Sequence, residues 1–370
     1  MIKRNILDCM TLVGGTPSHF EGEKTYVSTG AVDCDHVDYA QTERVTYDNR
    51  PSRANLSVAE GDILFAKMCG TKKTLRIDRQ LSEHLYSTGF CAVRANESLM
   101  DAALLYHLLA SDQFLTQKDQ NSSGATQKAI TNAGLRKIVI RVPDLSEQRK
   151  LAANLDCIEQ MMAKRREQLV SFDQLVKSRF IELFGDPDGN PMNWETAELE
   201  RHLEIVGGFA FKSEGFTESG IPVLRIGNIN SGHFLPVNMV FWPEDPSLAR
   251  YKMYPGDLVM SLTGTVGKDD YGNVCVLSDE YPEYYLNQRN AKLAIGATLN
   301  RHYLSEMLKF SRIKKRLTGI SRGVRQANIS NRDILALRVP IPPIELQEQF
   351  ATFVEQTDKS KLFDEMEVAA

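Results

Sequence analysis

The most regular hydrophobic pattern in the chain lies between Ser146 and Phe184. Apolar side chains recur there at alternating intervals of four and three residues, with Arg165 and Arg179 at the two missing positions. The apolar positions are Leu151, Leu155, Ile158, Met162, Leu169, Phe172, Val176 and Leu183. A 3.5-residue period is typical of a helix that packs along another helix. The pattern therefore predicts a helix of about 58 Å that cannot bury its apolar seam alone.

A second helical pattern starts near the end of the chain. Residues 138–142 and 335–339 read as two short β-strands, and each runs into proline. The first strand leads into the long helix. The second leads through Pro342-Pro343 into a pattern that includes Phe350 and Phe353 and fades after Val354. We expect this shorter helix to return antiparallel along the first one.

The chain also repeats itself at an interval near 200 residues. Gly61-Asp62-Ile63-Leu64 matches Gly256-Asp257-Leu258-Val259 at an offset of 195. At an offset of 199, four residues recur unchanged, namely Gly124/Gly323, Gln127/Gln326, Ile130/Ile329 and Asn132/Asn331. A period of this length indicates the duplication of a whole domain, because solenoid repeats are much shorter.

These patterns predict a mixed α/β fold with two similar globular domains. Two long antiparallel helices, a coiled-coil spacer, separate the domains in a dumbbell with a pseudo-two-fold axis. The predicted limits are 1–142 for the first domain, 143–185 for the central helical spacer, 186–340 for the second domain and 341–370 for a short C-terminal helical spacer. A plain linker helix is the alternative, but a linker does not need an apolar seam of nearly five heptads.

Composition and charge narrow the class of protein. The chain is 42% apolar and 25% charged, which is ordinary for a globular protein. No run approaches the roughly 18 apolar residues of a membrane span, so we expect a cytoplasmic protein without membrane contact. The net charge is −4, yet residues 305–338 hold nine Lys/Arg and two Asp/Glu, a local charge of +7. Such a basic block is typical of a nucleic-acid partner.

Two segments carry a family resemblance. Residues 142–151 (VPDLSEQRKL), followed by the long helix to 180–187 (FIELFGDP), resemble the central region of the DNA sequence-specificity subunits of Type I restriction-modification enzymes. Residues 339–349 (VPIPPIELQEQ) resemble its second occurrence. The resemblance implies two target-recognition domains that each read one half of a bipartite site in double-stranded DNA.

The resemblance also implies partners. The seam residues given above, with Phe350 and Phe353, would form the spacer and bind two methyltransferase subunits, with restriction subunits joining through the complex. S-adenosylmethionine, ATP and Mg would sit on those partners, so this chain would need no cofactor. The second helix is shorter than the family pattern, which implies weaker docking of the second methyltransferase.

Motifs for catalysis are missing. The only Asn-Pro, Asn190-Pro191, continues with Met192 rather than with the Pro-aromatic pair of an amino-methyltransferase loop. No lysine has Asp or Glu two residues before it, as a metal-dependent restriction nuclease requires. The nearest approach to a P-loop, at 264–268, lacks its first glycine and its Ser/Thr. We therefore expect neither catalytic nor metal-binding residues. A non-catalytic coiled-coil scaffold joining two protein-binding domains is the alternative.

Candidate DNA contacts divide between the two copies. Those expected on phosphates are Lys72, Lys73, Arg76 and Lys128 in the first copy, and Lys314, Lys315, Arg322 and Arg325 in the second. Gln127 and Gln326 recur in both copies, so they cannot distinguish two half-sites, and we assign them to positioning. Base reading is expected where the copies differ, at residues 71–73 in the first copy and at Lys268, Gln288, Arg289 and Asn290 in the second.

Overall fold

The computed structural model describes residues 1–125, 127–265, 270–319 and 326–369. These residues form two compact units, Met1–Lys164 and Arg165–Ala370. Each unit is described by itself.

Unit 1 is built from short strands and short helices, together with the start of one long helix. Its strands are β1 (Ile2–Asn5), β2 (Met10–Val13), β3 (Lys24–Val27), β4 (Val32–Asp33), β5 (His36–Val37), β6 (Glu43–Val45), β7 (Ala54–Leu56), β8 (Ile63–Ala66), β9 (Thr74–Arg76), β10 (Leu85–Ser87), β11 (Phe90–Ala95), β12 (Ser122–Ser123), β13 (Ala129–Ile130) and β14 (Val139–Val142). Its helices are α1 (Ile6–Cys9), α2 (Arg79–Ser82), α3 (Ala102–Ala110), α4 (Asp112–Gln120), α5 (Asn132–Leu135) and the start of α6 (Leu145–Phe184).

Two four-stranded sheets form the centre of unit 1. One has the strand order β2-β11-β8-β9 and the other β6-β3-β10-β7, while β1 pairs with β14. The first sheet is antiparallel, and in the second β3 and β10 run parallel. All four residues of β8 are buried, which explains its uninterrupted apolar run. Helices α3 and α4 pack their leucines and Phe114 on this strand to form the main core.

Unit 2 repeats most of this order of elements. Its strands are β15 (Thr196–Glu198), β16 (Leu203–Gly207), β17 (Ile221–Leu224), β18 (Phe241–Trp242), β19 (Lys252–Met253), β20 (Leu258–Ser261), β21 (Thr263–Thr265), β22 (Val274–Val276), β23 (Tyr284–Leu286), β24 (Asn290–Ile295), β25 (Gln326–Asn328) and β26 (Arg338–Pro340). Its helices after α6 are α7 (Arg301–Lys309), α8 (Ser311–Thr318), α9 (Asn331–Leu335) and α10 (Ile344–Ala369).

The sheet topology of unit 2 matches that of unit 1. The strand orders β16-β24-β20-β22 and β18-β17-β23-β19 correspond strand for strand, and β15 pairs with β26 as β1 pairs with β14. Strands β17 and β23 again run parallel. The residue spacing of about 200 therefore reflects two copies of one mixed α/β fold, as the repeats in the sequence predict.

Helix α6 is continuous over 40 residues. Its last turns belong to unit 2, where Val176, Phe180 and Phe184 are buried against Phe350 of α10. The rings of Phe180 and Phe350 lie 5.5 Å apart. Eleven residues further along α10, Lys361 pairs at 2.7 Å with Asp173, which precedes Phe180. Within unit 2 the two helices therefore run antiparallel, as expected.

The buried face of α6 differs in part from the predicted seam. Val176 is buried, and Leu183, Leu169, Phe172 and Phe353 are half-buried. Phe180 and Phe184, which the 3.5-residue pattern passes over, carry most of the packing because a spacing of four residues keeps them on one face of a straight helix. In unit 1, four seam residues are 37–53% exposed, namely Leu151, Leu155, Ile158 and Met162.

Among the described residues, no helix combines the length and the apolar character that crossing a membrane would require.

Candidate nucleic-acid interface

Unit 1 brings two candidate loops into contact, the loop 67–73 between β8 and β9 and the repeat loop 124–130. The Cys69 amide donates to the Lys128 carbonyl at 2.9 Å, and the Ile130 amide donates to the Lys67 carbonyl at 2.9 Å. Met68 and Ala129 form a β-bridge between these bonds. Residues that lie about 60 positions apart in the sequence therefore share one surface.

The repeat loop depends on its glycine. Gly124 has a φ of +144°, and a Cβ at this position would lie 2.2 Å from the Gln127 carbonyl oxygen. Only glycine fits such a turn without moving the backbone. The turn leaves Gln127 and Lys128 exposed.

Three other candidate side chains of unit 1 differ in their exposure and in their contacts. Lys72 is 63% exposed and lies 3.8 Å from the fully open Asp112 carboxylate, a pair that is worth little at such exposure. Lys73 is half-buried, and its Nζ donates to the Thr29 carbonyl at 2.8 Å. Arg76 lies at the end of β9 and is turned towards α6. Lys72 is therefore the most accessible cation of these three.

We revise the assignment of Arg76. Its guanidinium binds the Asp156 carboxylate, contacts Glu159 at 3.6 Å and stacks 4.1 Å over the ring of Tyr106. His107 approaches the same Asp156 oxygen at 2.7 Å. The hydrogen bond from Arg76 holds the pKa of Asp156 below its usual range, against the effect of burial. Arg76 thus joins its sheet to α6, and its guanidinium, with the side chain 39% exposed, is already paired with two carboxylates.

His107, Asp156 and Glu159 offer three potential metal ligands within 4.8 Å of one another. The guanidinium of Arg76 already supplies the positive charge that these carboxylates need. The arrangement is therefore that of an ion-pair network between a domain and its helix.

Unit 2 gathers the corresponding loops. Strand β21 pairs with β25, with Thr265 opposite Gln326. The Leu262 amide donates to the Arg289 carbonyl at 2.8 Å, which adds the turn 287–290 to the same cluster. Gln288 and Arg289 are exposed there. Lys315 is exposed on α8.

Two candidates of unit 2 are buried, and their assignments are also revised. Asn290 has no exposed surface, and its amide donates to the Leu224 carbonyl at 2.9 Å, so it cannot reach a base edge in this structure. Lys314 is 9% exposed, and its Nζ donates to Asn273 Oδ1 at 2.7 Å. Both side chains stabilise the domain from within.

Four candidates lie wholly or partly outside the described residues. Lys268, Arg322 and Arg325 are not described, and Gln326 is described only through its backbone in β25.

One residue of this region was missed by the sequence reasoning. Lys118 is fully buried, and its Nζ donates to the carbonyls of Met68 and Thr71 in the loop 67–73. A signal did exist, since Lys118 follows Phe114 by four residues and so lies on the apolar face of its helix.

Known proteins resemble the chain along most of its length. The family model for the Type I restriction modification DNA specificity domain matches twice, at residues 19–170 and 191–365. The MjaVIII specificity subunit of Methanocaldococcus jannaschii, a Type I restriction enzyme subunit, is 24% identical over 292 residues, which are 74% of this chain and 67% of the relative. The EcoKI specificity subunit of Escherichia coli is 25% identical over 328 residues, covering 81% and 68% respectively.

A solved structure supports the same fold. The S subunit of a Type I restriction-modification system from M. genitalium matches 100% of this chain and 92% of its own length. The TM-score is 0.55 and the sequence identity is 15%, so this likeness concerns the fold alone. With the family match, it confirms the predicted two-domain α/β architecture.

Proposed function

We propose that this chain, which belongs to the family of the Type I restriction modification DNA specificity domain, reads a bipartite site in double-stranded DNA without catalysing a reaction itself. In this proposal residues 1–142 and 186–340 are the two target-recognition domains. Residues 143–185 and 341–370 are the helical spacers that set the distance between the half-sites.

The observation that carries the proposal is the duplication of fold and loops. Each unit repeats the same sheet order, and each joins the loop after its buried central strand to the repeat loop. The loop after the central strand differs in sequence between the copies, at 67–73 in the first and at 262–273 in the second, whereas the sheet topology below it is the same. Two similar supports with different surfaces are what the reading of two unlike half-sites requires.

The exposed side chains of these loops suit two kinds of DNA contact. Lys72, Lys128 and Lys315 are placed to neutralise phosphates, a contact that supplies affinity but no sequence information. Gln288 and Arg289 lie at an exposed turn, and their amide and guanidinium groups match adenine and guanine edges in the major groove. Lys268, Arg322 and Arg325 remain proposed DNA contacts on the sequence alone.

The helices supply the docking surface for partners. Leu151, Leu155, Ile158 and Met162 leave a row of apolar surface open on α6. An exposed apolar row on a helix favours a protein partner over water. We propose that two methyltransferase subunits bind the helices and that restriction subunits join through them. S-adenosylmethionine, ATP and Mg would belong to those subunits, and the complex would work in the cytoplasm.

Methylome mapping tests this function. The chain would be expressed with its methyltransferase subunits in cells that lack other modification systems, and methylated positions would be read across the genome. We expect one motif with two specified halves and a fixed gap. A motif with a single continuous half, or no methylation that depends on this chain, would refute the proposal.

The alternative is a scaffold that joins two protein-binding domains. Such a scaffold would not shift a DNA duplex in a gel, with or without the methyltransferase. A specificity subunit in its complex would shift duplex DNA with an affinity that falls steeply as salt rises.

A further inference from the structure

Each domain buries one lysine, on helix α4 in unit 1 and on helix α8 in unit 2. Lys118 on α4 has no exposed surface, and Lys314 on α8 is 9% exposed. Burying an ammonium group costs several kcal/mol unless hydrogen-bond acceptors surround it. Each domain therefore has to place hydrogen-bond acceptors around its lysine. The positions of these acceptors show which loop the lysine holds.

In unit 1 the acceptors belong to the loop 67–73. Lys118 Nζ donates to the Met68 carbonyl at 2.7 Å and to the Thr71 carbonyl at 3.2 Å. It also pairs with Asp119 at 3.0 Å, and Asp119 accepts the Gly70 amide at 3.0 Å. Two adjacent residues of α4 thus hold three of the four backbone positions from 68 to 71.

The charge on Asp119 stabilises this arrangement. Burial alone would raise the pKa of the carboxyl, but hydrogen bonds from Lys118 and from the Gly70 amide lower it below its ordinary value. Asp119 therefore stays ionised at neutral pH, and the loop that carries Lys72 and Lys73 is fixed by charge-assisted bonds.

In unit 2 the lysine reaches the corresponding loop, between β20 and β22, through side chains. Lys314 Nζ donates to Asn273 Oδ1 at 2.7 Å, and Asn273 Nδ2 donates to Asn230 Oδ1 at 3.2 Å. Asn230 in turn donates to the Asp270 carbonyl at 2.9 Å. The chain of bonds ends in the segment between β21 and β22, where Asp270 also binds the amide and the hydroxyl of Thr265.

The two lysines lie on corresponding helices, α4 and α8, but one turn apart. At the 199-residue offset, Lys118 corresponds to Leu317 and Lys314 corresponds to Leu115. Each copy therefore has one lysine and one leucine on this face, in opposite order. The common scaffold is retained, while Lys314 Nζ donates to the Asn273 side chain where Lys118 Nζ donates to the carbonyls of Met68 and Thr71.

We propose that Lys118 and Lys314 are positioning residues for DNA recognition, each fixing the loops of its own domain and so the bases read by that domain. The inference rests on the proposed function. It predicts that the loss of one lysine relaxes one half-site and leaves the other half-site intact.

The test uses the full chain with its methyltransferase subunits and a pool of random duplexes. Binding is selected for Lys118→Met, Lys314→Met and the unaltered complex. We expect Lys118→Met to lower base discrimination about tenfold in the half-site of the first domain only, the size of one good base contact. Lys314→Met should do the same in the other half-site. Lys118→Arg, which retains the charge, should restore discrimination in part.

Phe114→Leu is the control that distinguishes a positioning role from a merely structural one. Phe114 is fully buried on the same helix, so this variant should melt earlier than the unaltered chain yet select the same bases. If Lys118→Met does not fold, Lys314→Met and Lys118→Arg still decide the matter. Unchanged selection at both half-sites by the lysine variants would overturn the inference. Failure of the unaltered complex to select a bipartite site would instead overturn the proposed function.

Discussion

Gln148 and Gln347 make the same three hydrogen bonds in the two domains, 199 residues apart. Gln148 Oε1 accepts the Asp101 amide, and its Nε2 donates to the carbonyls of Leu99 and Pro143. Gln347 makes the equivalent bonds to the Asn300 amide and to the carbonyls of Thr298 and Pro342. Each glutamine therefore joins the start of a spacer helix to the N-terminus of a domain helix, which explains why it recurs.

Gln148→Ala should destabilise the first domain by about 3 kcal/mol, because each of three hydrogen bonds contributes about 1 kcal/mol and the side chain is buried. Urea unfolding measures the change. Gln174 is exposed on the same helix, and Gln174→Ala should stay within about 0.5 kcal/mol of the unaltered chain. Equal effects from both variants would contradict this role.

Lys72→Ala combined with Lys128→Ala should weaken binding to all DNA sequences alike. Two lost phosphate contacts should also reduce the slope of log affinity against log salt by about 1.8. Titrations at several salt concentrations measure the slope. The matched control changes Lys3 and Lys137, which are exposed outside these loops. An altered base preference with an unchanged slope would argue against phosphate contact.

Arg76→Ala should affect stability and leave the salt dependence of DNA binding unchanged. The guanidinium lies in a partly exposed network with Asp156 and Glu159, so we expect a loss of roughly 1–2 kcal/mol. Arg149→Ala, at an exposed position of α6, is the control and should be nearly neutral. A lower salt slope in the Arg76 variant would return this residue to the DNA-contacting set.

Inserting seven residues into α6 after Lys164, with a matching heptad in α10, should change the gap between the half-sites. One heptad adds about 10 Å of helix, which equals about three base pairs. The bases read in each half should not change, because the loops are untouched. Selection from random duplexes reports gap and bases together, and an unchanged gap would refute the spacer role.

Acidification should weaken unit 2 through His302. Burial, with the nearby Arg301, lowers the pKa of this histidine, and Glu355 and Glu306 only partly oppose the shift. The unfolded chain therefore binds its proton first, so stability falls as the pH drops through about 6.5 and levels off below the folded pKa. Urea unfolding between pH 7.5 and 5.5 should show a smaller loss for His302→Gln, by no more than about 1.4 kcal/mol per pH unit. Identical losses would exclude His302 as the cause.

Much of the fold could be predicted because its signals are local or repeated. The proline-flanked strands, the long apolar seam and the recurrence of Gln127 as Gln326 all lie within single segments of the sequence. These signals predicted the two copies of the domain, the two long helices and the order of the elements. The same segments say nothing about the network of Arg76 or the burial of Asn290, because those contacts join residues that are distant in the sequence.

Lys314 and Lys315 show what the sequence can predict and what requires the tertiary structure. By itself the sequence determined that this segment is basic and that it belongs to a duplicated α/β domain. Only the tertiary structure decided that Lys314 faces Asn273 in the interior while its neighbour stays in water. Successive residues of a helix point about 100° apart, so which of them meets the core depends on where the helix packs against the sheet.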